Sequence, residues 1–515
     1  MPGRAPQPRL LTELLKEGRE DAPALLAGGA TTTYGELRAR VESAAAALAR
    51  AGLRRGERAL TILANDESFP IGVLAVWGAG GVIVPLDHRS PAEQIVRIAR
   101  DCQAAALLCD GLVFARVEGR LREIPSLRFA LVRQLRPSTY ILHVDVLSFE
   151  AATAGSGPAP ELESEPRELA ALMYTSGSTG RPKGVMHSHE SLISSLAFTR
   201  AELAIGPADR VLISFPLYHL FSFRVLLVHL MAGATAVLAP DILAGLKSAA
   251  GTRPNSLILV PAACALLLQK FAAVLGQCAP FLRRVGIGSA AISPELLAEL
   301  KALLPEAELH IPYGMTEARI GFLEEVPGRA ARRLRSVDPN LDLRVLDDDG
   351  KPVSQGLGEI VLRGPALMIG YWHNRDSENE AIRRDGFHTR DLMEVAENGD
   401  RFLVGRLDDV ISVGGEKVFP SEVEAVLLGH PRVRDVRVTG EADPRGLRGQ
   451  VVKAWIVLET EAPLEPEAIL AHCRARLEPY KLPVLLEAIP EIPRNDMGKI
   501  ARIGSSSKST NRRPQ

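Results

Sequence analysis

Three things are missing from this sequence of 515 residues, and each absence removes a class of function. Net charge is the first: Lys plus Arg total 61 and Asp plus Glu 62, so no overall basic field draws the chain to nucleic acid or anionic lipid. A membrane-length run is the second. A long apolar stretch, Ile71 to Leu86, falls short of the ~20 residues of a membrane span and is broken by Gly78, Gly80 and Gly81. Paired cysteines are the third: Cys102, Cys109, Cys264, Cys278 and Cys473 are scattered, odd in number and without a CxxC pair, as expected of reduced, buried thiols. The N-terminal stretch MPGRAPQPRLLTELLKEG also lacks the apolar segment of a secretory signal. A cytoplasmic protein is expected, acting on a small molecule, with no nucleic-acid or membrane partner and an oligomeric state left open.

What the chain does contain is 46% hydrophobic and 24% charged residues, over a length that calls for two or more domains. Helix and strand signals alternate up to about Tyr313. In TTYGELRARVESAAAALARAGL, Leu37, Val41, Ala45 and Leu48 share a face, Thr33 and Glu36 form a capping box, and Gly52 ends the helix. Strands RALTILA and GVIVPL, a helix SPAEQIVRIARDC capped by Ser90, and a closing strand AALLCD make a first series. A loop from Ser156 to Leu169, rich in Pro and Glu, leads to a second. There, strands RVLISFP, ATAVLA, SLILVPA and RRVGIGSA alternate with helices RVLLVHLMAG, DILAGLKSAAG and AACALLLQKFAAVL.

The expected fold is therefore α/β, with a large N-terminal domain of two helix-covered, mostly parallel sheets. The DDDG turn in LDLRVLDDDGKPVSQGLGEIVLRGP adds a small antiparallel β unit. Near Asp408 the texture changes to a compact α+β module. The expected division is 1–407, a small mobile C-terminal domain 408–503, and a disordered tail 504–515.

The stretch YTSGSTGRPKGVMHSHE, Tyr174 to Glu190, is built like a phosphate loop yet has no Walker pattern. Gly177, Gly180 and Gly184 permit close backbone approach, while Thr175, Ser176, Ser178 and Thr179 bring hydroxyl and N–H donors and Lys183 a mobile positive charge. Such a loop suits a polyphosphate that is gripped and then released. Other stretches that stand out are GIGSAAIS (Gly286 to Ser293), YGMTEA (Tyr313 to Ala318), GFHTRDL (Gly386 to Leu392), GRLDDVISVGGEKVFPSEVE (Gly405 to Glu424) and PRNDMGKI (Pro493 to Ile500). Taken alone, a helix start capped by Thr316 and a surface ion pair between Arg406 and Asp409 are the plain alternatives for two of them.

In this order and spacing, from Thr31 to Ile500, the chain resembles the adenylate-forming superfamily, which includes acyl-CoA synthetases, luciferases and the adenylation domains of peptide synthetases. The resemblance implies that Thr175, Ser176, Gly177, Ser178, Thr179, Gly180 and Lys183 hold the β- and γ-phosphates of ATP. It lays Tyr313 along adenine, within a motif shared by Gly314 and Met315, brings Thr316 to the α-phosphate and gives Mg²⁺ to Glu317. A divalent ion is required in any case, because a nucleophile nearing an ATP phosphorus meets several negative oxygens. Gly288, Ser289 and Ala290 lie against adenine and Gly286 borders the acyl group, with Ser289 where Gly is commoner. Asp391 and Arg406 take the ribose hydroxyls, and Arg390 stands where Gly is often found. Asp408 is the hinge, Gly414 and Gly415 line a thiol channel, and Lys499 is the catalytic lysine that stabilises charge between carboxylate and α-phosphate.

The implied reaction has two halves: an acid and ATP give an acyl-adenylate and pyrophosphate, then a thiol, with CoA as the expected co-substrate, displaces AMP. Between them the small domain rotates. In FPLYHLFSF no acid stands where amino-acid-activating relatives carry an Asp, which disfavours an α-amino acid. His219 borders the acyl pocket beside Tyr218 and Phe221, and Ser222 narrows it where many relatives have Gly, so an aryl or short to medium acyl acid is expected. Arg319, directly after MTEA, is a candidate partner for an anionic or polar group of that acid. Transfer to a separate carrier protein or an amine, oxidation of the adenylate, and activation of a small oxyanion such as nitrite are the alternatives; a nucleotide-binding protein without catalysis is the reading from another class.

Overall fold

The structure is a computed structural model that describes residues 8–136, 143–155, 157–161, 163–176, 182–290, 292–327, 329, 331–374, 380–445, 447–459 and 463–494. Local signals and observed elements agree best where the sequence carries its own caps. Helix Tyr34–Arg50 starts at Thr33, whose hydroxyl accepts from the Glu36 amide at 3.2 Å while Glu36 accepts from the Thr33 amide at 2.7 Å. Gly52 follows it with φ +97°. The uncharged run forms helix Ser68–Gly78 and strand Val82–Pro85, all but Gly78 buried. Among the described residues no helix is long and apolar enough to cross a membrane.

Several local expectations are corrected. Ser90 is not the cap of the following helix: it spans Ala92–Asp101 with Pro91 at the N-cap and no side-chain cap bond. The first series does not close at Ala106–Asp110, since two more parallel strands, Phe129–Arg133 and Asp145–Ser148, continue it. The expected single helix around Phe271 is two, Pro261–Lys270 and Ala272–Gly276, broken where Phe271 leaves helical geometry at φ −135° and ψ 25°.

The first sheet has eight strands. Its parallel centre is extended by strand Leu169–Ser176, which turns back antiparallel into Pro182–Ser188. The edge is a two-residue strand, Gly370–Tyr371, that pairs with Met186 and Val185 after a long excursion of the chain. In the second sheet, of fourteen strands, Arg210–Ile213, Thr235–Leu238, Ser256–Leu259, Arg284–Ile287 and Glu308–Gly314 run parallel. The antiparallel strands expected as a small unit are present, and they continue this same sheet through Arg319–Glu324 and Arg332–Val337. Pairing within this one sheet therefore changes from parallel to antiparallel between Gly314 and Arg319.

Helices from both sheets meet in a shared core. Trp77 is 1% exposed, donates from its indole to the Ala170 carbonyl at 2.9 Å, and packs 5.9 Å from Phe223, which also meets Phe69 edge-on at 5.9 Å. Burial of such aromatics contributes roughly 2–3 kcal/mol each. A separate core, from Ile411 to Leu486, belongs to the C-terminal α+β region, whose three-stranded sheet is Val433–Ala442, Gln450–Leu458 and Leu485–Ala488. All five cysteines are free and buried. Thr33→Ala, which removes the hydroxyl half of the capping box, is expected to cost about 1 kcal/mol, read as an earlier unfolding transition in urea.

Candidate active site

The site begins where the parallel part of the second sheet ends. Strand Glu308–Gly314 stops at Gly314, where a Cβ would lie 2.5 Å from the Ala318 carbonyl oxygen. Only glycine allows the next turn, in which the Met315 amide donates to the Ala318 carbonyl at 2.8 Å. Thr316 and Glu317 stand in this bend between two strands, so Thr316 caps no helix. His187, fully buried, holds the bend from the other sheet, with its Nε2 2.8 Å from the Thr316 carbonyl. Burial, with the Arg224 charge added, pulls the His187 pKa down to about 3, so the ring is neutral. Nε2 must then carry the proton and donate it, leaving Nδ1 to accept from the Ser191 hydroxyl at 3.2 Å.

Glu317 is fixed at both ends. Its carbonyl accepts from the Met368 amide at 2.8 Å, and its Oε1 accepts from the Tyr371 hydroxyl at 2.8 Å. The Lys183 ammonium lies 5.6 Å from the Tyr371 ring centre. Tyr371 thus joins the strand after the glycine-rich loop to the Glu317 bend. On that hairpin Thr175 faces Lys183 and Ser176 faces Pro182, while Gly177, Ser178, Thr179 and Gly180 lie outside the described residues, as does Lys499. Among the described residues no three His, Cys, Asp or Glu side chains converge as a metal site. One carboxylate oriented by a tyrosine does fit Mg²⁺, which keeps waters and takes most of its protein-bound ligands from one or two carboxylates plus substrate phosphates.

A second cluster gathers at Asp391. Tyr313 donates to it from its hydroxyl at 2.7 Å, and Arg406, opposite it on the neighbouring strand, places Nε 3.7 Å away. Burial raises the Asp391 pKa, against the pull of the Tyr313 hydrogen bond and the Arg406 charge. Arg406 also lies 3.9 Å from Asp408, whereas Asp409 pairs with Arg437, so the surface pair Arg406–Asp409 is not formed. Arg390 and Ser289, two of the positions where glycine is commoner, both have left-handed backbones, at φ +64° and φ +74°. Their unusual residue types therefore carry backbone strain. Arg390 gains a compensating bond to Asp408, in the short turn Leu407–Asp409 where the hinge was expected. Gly414 and Gly415, at φ +61° and +96°, make the two-residue turn between strands Ile411–Val413 and Glu416–Val418.

The bend, through Thr316, and the Asp391 cluster open on one cavity of about 560 Å³ that runs along the parallel strands, from Ser256 and Arg284 at their amino ends to Ser289 and Tyr313 at their carboxyl ends. Tyr313, Gly314, Met315, Thr316, Asp391, Arg406, Gly286, Ser289, Ala290, His219 and Arg319 all line it. Its apolar end is formed by helix Leu220–Met231, with His219 at the N-cap and Phe221 beside Gly288, where a Cβ would come within 2.8 Å of the Phe221 ring. Ser222 is fully buried and does not line the cavity, so it does not narrow it directly. Arg319 does line it, but its Nη1 donates to the carbonyls of Tyr313 (2.9 Å) and Gly321 (2.7 Å), and its guanidinium lies 4.3 Å over Phe322. Gly414, Gly415, Asp408, Glu317, Lys183 and Gly288 are not in the lining. A second cleft, of about 960 Å³, separates helix Pro294–Leu303 from the C-terminal helices and contains none of the expected residues.

Three residues of the site escaped the sequence analysis: His187, Tyr371 and Arg224. His187 and Tyr371 act through contacts distant in sequence. Arg224 had a signal, a lone charge inside the apolar helix LFSFRVLLVHLM.

Two substitutions test the strain and the buried charge. Ser289→Gly removes a left-handed penalty of about 1–2 kcal/mol and adds about 0.5–1 kcal/mol of chain entropy, so a net gain of up to about 1 kcal/mol is expected in thermal unfolding. Asp391→Asn is expected to raise the melting temperature at pH 7, because the carboxyl's raised pKa means the fold disfavours its charged form. That gain should shrink as pH falls through the elevated pKa toward 3.8, where the native carboxyl takes up its proton.

Comparison with known proteins agrees with this geometry. Residues 14–372 match the family described as AMP-binding enzyme, and residues 422–499 match its C-terminal domain family. Feruloyl-CoA synthase of Amycolatopsis sp is 32% identical over 496 residues, covering 93% of this chain and 94% of that protein. Naringenin synthase of Pestalotiopsis fici is 32% identical over 519 residues and 97% of this chain, which spans 19% of that protein's length. The crystal structure of ATP-bound MatB from Rhodopseudomonas palustris superposes with a TM-score of 0.84 at 26% identity, covering 96% of this chain and 97% of that one. The chain belongs to the adenylate-forming family of AMP-binding enzymes and is an acid-activating, AMP-forming ligase.

Proposed function

We propose that the enzyme joins an aryl or short to medium acyl acid to CoA through an acyl-adenylate, with ATP as the activating substrate. One observation carries the proposal: a single cavity runs from the Tyr313, Asp391 and Arg406 cluster, past Thr316, to an apolar end bounded by His219, Phe221 and Val225. The likeness to a feruloyl-CoA synthase supports an aryl acid and CoA, and the likeness to an ATP-bound structure supports ATP.

In the first half-reaction the acid's carboxylate oxygen attacks the α-phosphorus, the bond to the β-phosphate breaks, and pyrophosphate leaves. Asp391 and Arg406 would fix the ribose and Tyr313 the base, holding the α-phosphate at Thr316. That positioning is the main contribution, since oriented reactants gain several kcal/mol over free ones. The hairpin bearing Thr175, Ser176 and Lys183, with Gly177 to Gly180, would hold the leaving pyrophosphate. Glu317, oriented by Tyr371, would hold Mg²⁺, which screens phosphate charge when bound. Lys499 would stabilise charge on the pentacovalent centre. His187 acts at one remove: it donates to the Thr316 carbonyl and keeps the bend closed.

For the second half-reaction, residues 408–503 would rotate about Asp408, withdrawing Lys499 and bringing the Gly414–Gly415 turn to the cavity so that a thiol can displace AMP. The Arg390–Asp408 bond lies at this pivot.

Acid-dependent exchange of labelled pyrophosphate into ATP measures the first half-reaction, and thioester formation from CoA and preformed adenylate the second. Lys499→Ala is expected to lower exchange by about 10²–10³-fold, the loss of one preorganised stabiliser. Equal exchange in this variant would remove Lys499 from the mechanism, and no thioester with CoA would turn attention to another acceptor.

A further inference from the structure

Phe221, Arg224, Val225 and Val228 line the cavity from helix Leu220–Met231. Their spacing, i, i+3, i+4 and i+7, is one helix face. Three of the four are apolar. The fourth places a guanidinium among them, with Nε and Nη2 buried and without a hydrogen-bond partner.

The other arginines of the cavity are occupied. Arg284 is paired with Asp209, Arg332 with Glu325 and Arg406 with Asp391, and Arg319 is held by backbone carbonyls. Arg224 makes no hydrogen bond or ion pair among the described residues. Asp338, fully buried, and Glu317 attract it only at longer range, and Asp338 keeps its own Oδ2 unpartnered. The imidazoles of His229 and His310 are held toward neutrality by burial, and neither is hydrogen-bonded to Arg224. Among the described residues Asp391 is the one carboxylate in the lining, and Tyr313 already donates to it.

A buried cation without a partner is strongly unfavourable unless something binds to complete it. Arg224 lies five residues along the helix from His219 at the N-cap, about 7.5 Å of helix rise further along the cavity wall. We infer that Arg224 determines specificity: the acid taken by this site carries a second anionic group, a carboxylate or a group of like charge, which Arg224 binds in a charge-assisted hydrogen bond. Preference for such an acid over a neutral analogue follows because only the anion leaves no buried donor unmatched.

This inference rests on the cavity being the acid pocket of an acid-activating ligase, and the test separates the two. Pyrophosphate exchange is measured with adipic acid against its monomethyl ester, and with 4-carboxycinnamic acid against cinnamic acid. In at least one pair the unmodified enzyme is expected to favour the dianion by about 10- to 100-fold in kcat/KM, the worth of one hydrogen bond to a charged group. Arg224→Met should bring that ratio to about one and Arg224→Lys to an intermediate value, with thermal melts confirming that both variants fold. Exchange with the neutral acids but no dianion preference in any pair overturns the inference and leaves the ligase assignment standing. A preference that survives Arg224→Met, including equal loss with both members of a pair, also overturns it. No exchange with any acid overturns the ligase assignment, and the inference with it.

Discussion

The bend from Gly314 to Ala318 is the constraint on which the rest of the structure depends. It turns a parallel sheet into an antiparallel one without interrupting it, and it is closed by a hydrogen bond from the Met315 amide to the Ala318 carbonyl. A side chain at Gly314 would collide with backbone that cannot move aside. Because the sheet reverses here, Tyr313 ends up facing the strands that bear Asp391 and Arg406, and Thr316 and Glu317 stand between two sheets. The bend is also where those sheets are tied polar group to polar group: His187 reaches the Thr316 carbonyl, and Tyr371 reaches the Glu317 carboxylate. A neutral imidazole suits this tie, since its one N–H has one carbonyl to satisfy and its charge does not change with pH in the ordinary range.

Much of the site was legible in the sequence because the motif residues are ones for which few substitutes exist: glycine where backbone must pass, a carboxylate for hydroxyls, a ring for a base. Tyr313, Thr316, Asp391, Arg406 and His219, far apart in the chain, do line one cavity. Ser289 and Arg390 were recognisable as odd residue types, but the left-handed backbone that explains the oddity is a property of the folded chain. Arg319 was seen as a charge near the pocket; that it is occupied by two carbonyls depends on strand pairing that no local pattern shows. His187 and Tyr371 were missed for the same reason, since their partners lie 129 and 54 residues away. At the level of the fold, local caps and periodicity located the helices well. Local signals could not show that the antiparallel strands join the parallel sheet, which depends on pairings between distant segments.

Charge in the cavity is arranged unevenly. At the nucleotide end, as proposed, the acidic group is buried and already bonded, so it is held ready at a cost in stability. At the acid end a basic group is buried without a bond. Both departures from best stability lie in the same cavity, while the arginines around them are matched with carboxylates or, for Arg319, with backbone carbonyls. Such a distribution is expected where binding supplies what folding leaves incomplete.

The two-residue strand Gly370–Tyr371 has a consequence beyond holding Tyr371 near Glu317. A hairpin at the margin of an eight-stranded sheet would otherwise present unpaired amides and carbonyls to any passing chain, and this hairpin carries the glycine-rich loop. Covering it with a strand too short to recruit another blunts that edge. Side chains alternate in direction along a strand, so a slip of one residue would turn Tyr371 away from Glu317. Protection against self-association and the alignment of the strand Pro182–Ser188 with the bend therefore rest on the same two residues.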